Sequence, residues 1–132
     1  MAKKRKEVDH WLSIARRDLD NARKNFTVEA YEVVAFLCHQ SIEKGLKALY
    51  IHTRRKRPEL THSLVDLGTD LSVPAELMEP LRDMNPDYAV SRYPGAANGL
   101  PVDVYTKSKA ASRLAVSQEF SIVPPLRDEG PA

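Results

Sequence analysis

Cysteine is nearly missing from this chain. Cys38 stands alone among 132 residues, which excludes an internal disulfide and fits a reducing compartment. No apolar run approaches the roughly 20 residues that cross a bilayer, and none near the N-terminus has the form of a secretory signal. A cytoplasmic protein without membrane association is expected. Glycine is scarce, with 5 residues, and none of them builds a Walker-type phosphate loop or a dinucleotide fingerprint. The four histidines, His10, His39, His52 and His62, have no metal-ligand spacing with cysteine or carboxylate, so neither metal nor cofactor is expected. No serine has the context of a nucleophile. Strand-like alternation, internal repeats and low-complexity tracts are absent too.

What is present is charge and helical periodicity. Charged residues make up 29% and hydrophobic ones 42%, as in an ordinary one-domain soluble protein, and the net charge is +2. The basic residues are bunched: Lys3-Lys4-Arg5-Lys6, Arg16-Arg17, Arg23-Lys24 and Arg54-Arg55-Lys56-Arg57. Such runs attract phosphate-rich partners, and they also occur as solvated helix faces and ends.

The spacing predicts an all-α antiparallel bundle of about five helices. The first covers about residues 9–25, with Leu12, Ala15, Leu19, Ala22 and Phe26 as its stripe, widened by Trp11 and Ile14, and Asp9 as N-cap. The second covers about residues 28–53, with Tyr31, Val34, Ala35, Cys38, Ile42, Leu46 and Leu49 on one face and Thr27 as cap. Cys38 on that face reads as a small buried hydrophobe. Gly45, at the edge of the face, costs about 1 kcal/mol against alanine and suggests close approach of another helix. Ser63 and Asp66 have capping-box spacing and open a short third helix ending near Leu71. Pro74 opens a fourth, in which Pro80 predicts a kink or early break. Residues 85–101 read as a loop. A fifth helix starts near Asp103 and carries Val104, Ala111, Leu114 and Ala115. The domain is assigned to residues 9–120, flanked by a flexible basic arm over 1–8 and a flexible tail over 121–132.

Within the second helix, Gln40, Glu43 and Lys47 recur at spacings of three and four, and Lys44 lies one turn beyond Gln40. Alone, this pattern fits either a solvent face of Glu–Lys pairs or a polar groove. His62 at the start of the third helix fits a cap, a packing residue, or a contact to phosphate or base. Arg92 offers a bidentate phosphate contact and Tyr93 a stacking ring; equally, Arg92 pairs with a carboxylate while Tyr93 plugs the bundle end.

Three segments in order, His39-Gln40 with Glu43-Lys44 and Lys47, then Thr61-His62-Ser63-Leu64, then Ser91-Arg92-Tyr93-Pro94, resemble the HEPN domain. Ala15, Asp18, Leu19 and Ala22 are similar to that family's first helix, with Asp18 as a candidate partner of a lysine on the second. HEPN domains are small helical domains of prokaryotes and higher eukaryotes linked to nucleotide and RNA chemistry. The resemblance implies nucleotide or RNA binding through Gln40, Glu43, Lys44, Lys47, His62, Arg92 and Tyr93. It also implies a homodimer, and a toxin–antitoxin-like pairing with a separately encoded minimal nucleotidyltransferase.

Members that cleave RNA carry an Arg, four to six intervening residues and then a His in a late helix. There the His serves as base toward a ribose hydroxyl, and the Arg stabilises charge on phosphorus. No histidine follows His62, so a binding module without catalysis of its own is expected. The alternatives are a metal-independent ribonuclease using Arg57 and His62, which have suitable spacing in the turn before the third helix, and a protein-interaction or dimerisation domain.

Overall fold

The computed structural model describes residues 2–121. It contains helices α1 (Ala2–Thr27), α2 (Tyr31–Arg54), α3 (Leu64–Asp70), α4 (Ala75–Met84), α5 (Asp87–Val90), α6 (Pro94–Ala97), α7 (Pro101–Val104) and α8 (Lys107–Ser121), and no strand among the described residues. The all-α expectation holds. α1 and α2 form an antiparallel hairpin, α8 packs along both, and α3, α5 and α7 lie against α2.

α2 is the central rod. Val34, Ala35, Cys38, Ile42, Leu46, Ala48 and Ile51 are buried along it, meeting Ala15, Leu19 and Ala22 of α1, Leu64 and Leu67 of α3, Met78, Leu81 and Met84 of α4, and Ala110 and Phe120 of α8. Burial drives the Cys38 thiol up to about 12, with the Asp87 charge adding to the effect, so this thiol is an inert hydrophobe as expected. Gly45 is buried beside α1, where the Ser41 hydroxyl donates to the Ala15 carbonyl at 2.8 Å. Gly68 is the tighter contact: a Cβ there would lie 2.7 Å from Leu81 Cδ1 and 2.9 Å from Met78 Sδ, so a larger residue would require those two side chains of α4 to shift.

Several boundaries differ from expectation. α1 is helical through residues 2–8, assigned above to a flexible arm, so Asp9 is interior and caps nothing. Thr27 caps no helix either: its hydroxyl donates to the Lys24 carbonyl at the end of α1, and α2 starts after Ala30 without a side-chain cap. Ile14 is 44% exposed, outside the buried stripe. α4 continues through Pro80, because the bond forfeited belongs to the carbonyl of Glu76, an exposed first-turn residue that water can satisfy. Ser63 does cap α3, accepting from the Asp66 N–H at 3.0 Å.

The expected loop over residues 85–101 is organised into single helical turns, α5 and α6, followed by α7. Asp103 lies in α7, and the last long helix starts only at Lys107, with the Thr106 hydroxyl accepting from the Lys109 N–H at 3.1 Å. Its buried face is Ala110, Arg113, Ser117 and Phe120, while Ala111 and Ala115 are exposed. The tail expected over 121–132 lies outside the described residues, Ser121 excepted.

Candidate functional site

The middle of α2 turns polar residues inward. Glu43 is 2% exposed, Lys47 7% and Gln40 8%, so the solvent-face alternative does not apply to these three. Their i, i+3 and i+4 spacing lets them bond to one another. Lys47 Nζ donates to Glu43 Oε2 at 2.9 Å and lies 5.6 Å from the Trp11 ring centroid. Gln40 Nε2 donates to Glu43 Oε1 at 3.2 Å, while Gln40 Oε1 accepts from Lys44 Nζ at 3.0 Å. Lys44 Nζ also reaches Asp18 Oδ2 at 3.0 Å, which is the α1 partner expected for a lysine of the second helix. The result is a chain of alternating charge and amide from α1 through α2.

His62 completes this chain from the loop before α3. Its Nδ1 lies 3.1 Å from Glu43 Oε1 and 3.2 Å from Oε2. A carboxylate only accepts, so Nδ1 carries a hydrogen and Nε2 is left to bond to another molecule. The ring stacks on Tyr88 of α5 with centroids 4.0 Å apart and planes 13° apart, yet the side chain is 53% exposed. His62 is therefore fixed along one edge and one face, and open on the rest.

His39 sits beneath this layer. It is fully buried, 5.8 Å from the Tyr88 ring, and its Nδ1 lies 3.4 Å from Gln40 Nε2. Burial pulls its pKa from 6.5 to about 4 against the opposing pull of Glu43, so it is neutral near pH 7. Below pH 6.5 the unfolded chain binds this proton and the folded one does not, so stability falls as pH drops from 6.5 toward 4. The predicted loss is on the order of 3 kcal/mol. Urea unfolding across that range, compared with His39→Leu, checks it: the variant should lack this part of the slope.

Arg92 and Tyr93 extend the surface. Phe36 lies 5.8 Å from Tyr88, and the Arg92 guanidinium sits 4.7 Å above the Phe36 ring and 5.8 Å from Tyr93, which is 51% exposed. Arg92 thus stands two aromatic rings from His62, exposed and stacked, with no carboxylate partner among the described residues. Tyr93 does not plug the bundle end. Arg57 points elsewhere: it is 79% exposed and meets Glu7 at 3.6 Å.

Two parts of this arrangement escaped the sequence analysis. Tyr88 is one. The other is the buried cluster that holds α5 in place: Arg113 of α8 donates to Asp87 Oδ2 at 2.7 Å and to Asp83 at 2.6 Å, and the Tyr105 hydroxyl donates to Asp87 Oδ1 at 2.6 Å. Burial raises the Asp87 pKa and, with the Asp87 bond, that of Tyr105. Burial opposes the charge on Arg113 as well, but Asp87 outweighs it and the guanidinium is held above its ordinary value. Because Asp87 adjoins Tyr88 in the same turn, this cluster sets where the Tyr88 ring meets His62. No group of metal-ligand type is found among the described residues, and no described helix is long and apolar enough to cross a membrane.

The comparisons agree with this architecture. The sequence matches the HEPN domain family model over residues 8–121. No curated protein sequence matches it. The chain is similar to the crystal structure of TT1696 from Thermus thermophilus, with 30% identity and a TM-score of 0.76 over 86% of this chain and 91% of that one. It is also similar to ST0689, an archaeal HEPN homologue, with 29% identity and a TM-score of 0.73 over 86% of this chain and 90% of that one. With a family match across most of its length and the same helical bundle in both solved structures, the chain belongs to the HEPN domain family.

Proposed function

We propose that this protein is a nucleotide- or RNA-binding module, non-catalytic on its own. A base or ribose rests against the open face and Nε2 edge of His62, the Arg92 guanidinium takes a phosphate, and Tyr93 offers a further stacking ring. Gln40, Glu43, Lys44 and Lys47 act from below, since the two lysine charges are spent on Glu43 and Asp18, and they hold His62 in place. The observation that carries this reading is His62 itself, anchored on a buried carboxylate and on Tyr88 yet 53% exposed. An exposed polar ring held this firmly is pre-organised for a ligand.

The test is calorimetric titration with a panel of ribonucleotides. Binding should be saturable in the wild type and at least about tenfold weaker in Arg92→Ala, a loss of about 1.4 kcal/mol. That variant should melt as the wild type does, because Arg92 is exposed. Equal affinity in both would remove Arg92 from the site.

The partner in this reading is a separately encoded minimal nucleotidyltransferase, in a toxin–antitoxin-like pair, and the module itself is a homodimer. Light scattering on the eluting protein should give twice the chain mass; a monomer at micromolar concentration would contradict the dimer. The ribonuclease reading with Arg57 and His62 requires cleavage in the presence of chelator, abolished in His62→Ala. Arg57 turned toward Glu7 gives it no support, and no cleavage is expected.

A further inference from the structure

We propose that the end of the bundle formed by the start of α1, the last turn of α2 and the loop over residues 55–63 is a track for the phosphate backbone of single-stranded RNA. The proposal rests on the nucleotide reading of the His62 site and decides its ligand in favour of a polymer.

The antiparallel hairpin brings two basic runs of the sequence to one place. Glu7 and Arg57 meet at 3.6 Å, so the exposed Lys6 of α1 lies at the same end as Arg54–Arg57. A structural explanation for such a cluster is the C-terminal end of the α2 dipole, but that amounts to only about half a charge. Four consecutive cations exceed it, and Glu59 is the only carboxylate on the loop. Two of the four are braced: Arg54 donates to the Asp70 carbonyl, and Arg57 meets Glu7. Arg55 and Lys56 are exposed and have no such partner among the described residues.

Arg55 closes α2 in the left-handed conformation at φ 60°, which Glu29, Ser72 and Asn98 also adopt and where glycine is favoured over a side chain.

The loop then runs back along α2 from Arg55 to the level of Glu43, where His62 docks. That distance is about 18 Å at the helical rise of roughly 1.5 Å per residue. Leu60, fully exposed on this path, offers an apolar contact for a base between the cations and His62. A basic groove that follows the backbone beside stacking rings is the pattern by which single strands are held, with site sizes of roughly 4–16 nucleotides. His62, Tyr93 and Arg92 lie at the far end of the track.

The experiment compares a ribonucleoside monophosphate with an oligoribonucleotide of about eight residues, titrated at several salt concentrations into the wild type and Arg55→Gly/Lys56→Gln. In the wild type the oligomer should bind at least about tenfold tighter than the monomer, with log K falling by about 0.7 per phosphate contacted for each tenfold rise in salt. The variant should lose that advantage and lower the salt slope by about 1.4, with mononucleotide affinity unchanged. Its melting temperature should stay level or rise, since glycine is favoured in the left-handed conformation of position 55. An oligomer that binds no tighter than the monomer, or that binds both proteins alike, overturns the track and leaves the nucleotide site standing. Failure of both ligands on the wild type overturns the nucleotide reading and the track with it.

Discussion

Arg113→Leu is expected to cost about 3–5 kcal/mol, the range for removing one partner of a buried ion pair. On the wild-type chain Asp87 has Arg113 and Tyr105 as its donors and is 3% exposed, so the substitution leaves a carboxylate in a dry site with one hydroxyl to hold it. The melting temperature should fall by roughly 10–20 °C for a domain of this size. Removing the carboxylate as well should restore much of the loss, because a buried pair replaced by packed hydrocarbon is often near neutral. Calorimetry on Arg113→Leu and on Asp87→Leu/Arg113→Leu checks both statements. A single-variant cost below about 1 kcal/mol would show that the pair adds no more than a surface contact. Tyr88 should also lose its fixed place, so ligand affinity falls in whatever fraction of the single variant stays folded.

Glu43→Gln is the second large effect, expected at about 3 kcal/mol, at the low end for breaking a buried pair because the amide keeps the volume and one acceptor. Glu43 accepts from Lys47, Gln40 and His62, and Lys47 is 7% exposed with no other carboxylate bonded to it among the described residues. The amide leaves that ammonium uncompensated and releases His62 Nδ1. Two readouts should therefore move together: the denaturation midpoint and nucleotide affinity. A variant that unfolds earlier but binds as before would separate the ion cluster from the site. The same geometry makes Lys47→Ala a stability experiment first, since the lysine is buried against Glu43 and its removal strands a carboxylate.

How much of this was legible in the sequence depended on how local the cause was. The stripe Ala15, Leu19 and Ala22 and the face Val34, Cys38, Ile42 and Leu46 follow from helical period alone, and they are buried as read. The Ser63 cap is equally local. α8 was read as a helix but with an early start and the wrong face, because its buried face contains Arg113 and Ser117 and its apolar period is weak. Burial there is set by Asp87, distant in sequence, which no window along α8 contains. The turns α5 to α7 were hidden behind prolines that read as loop punctuation but here start helical turns at Pro94 and Pro101.

In the site, Gln40, Glu43, Lys44 and Lys47 could be placed on α2 from spacing. Spacing did not say that they point inward, because i, i+4 pairs look alike on a wet face and a dry one. Tyr88 carried no signal beyond being aromatic. Only the fold shows that its turn, clamped by Arg113, lies under His62.

The most direct test of the central claim is the two-bond proton–nitrogen spectrum of the histidine rings during titration with a ribonucleotide. The account predicts that free protein shows His62 with its hydrogen on Nδ1, and that the Nε2 signal shifts saturably as ligand is added. In Arg92→Ala the shift should need at least about tenfold more ligand. A ligand that binds while the His62 signals stay still would place the site elsewhere on the bundle and contradict the account.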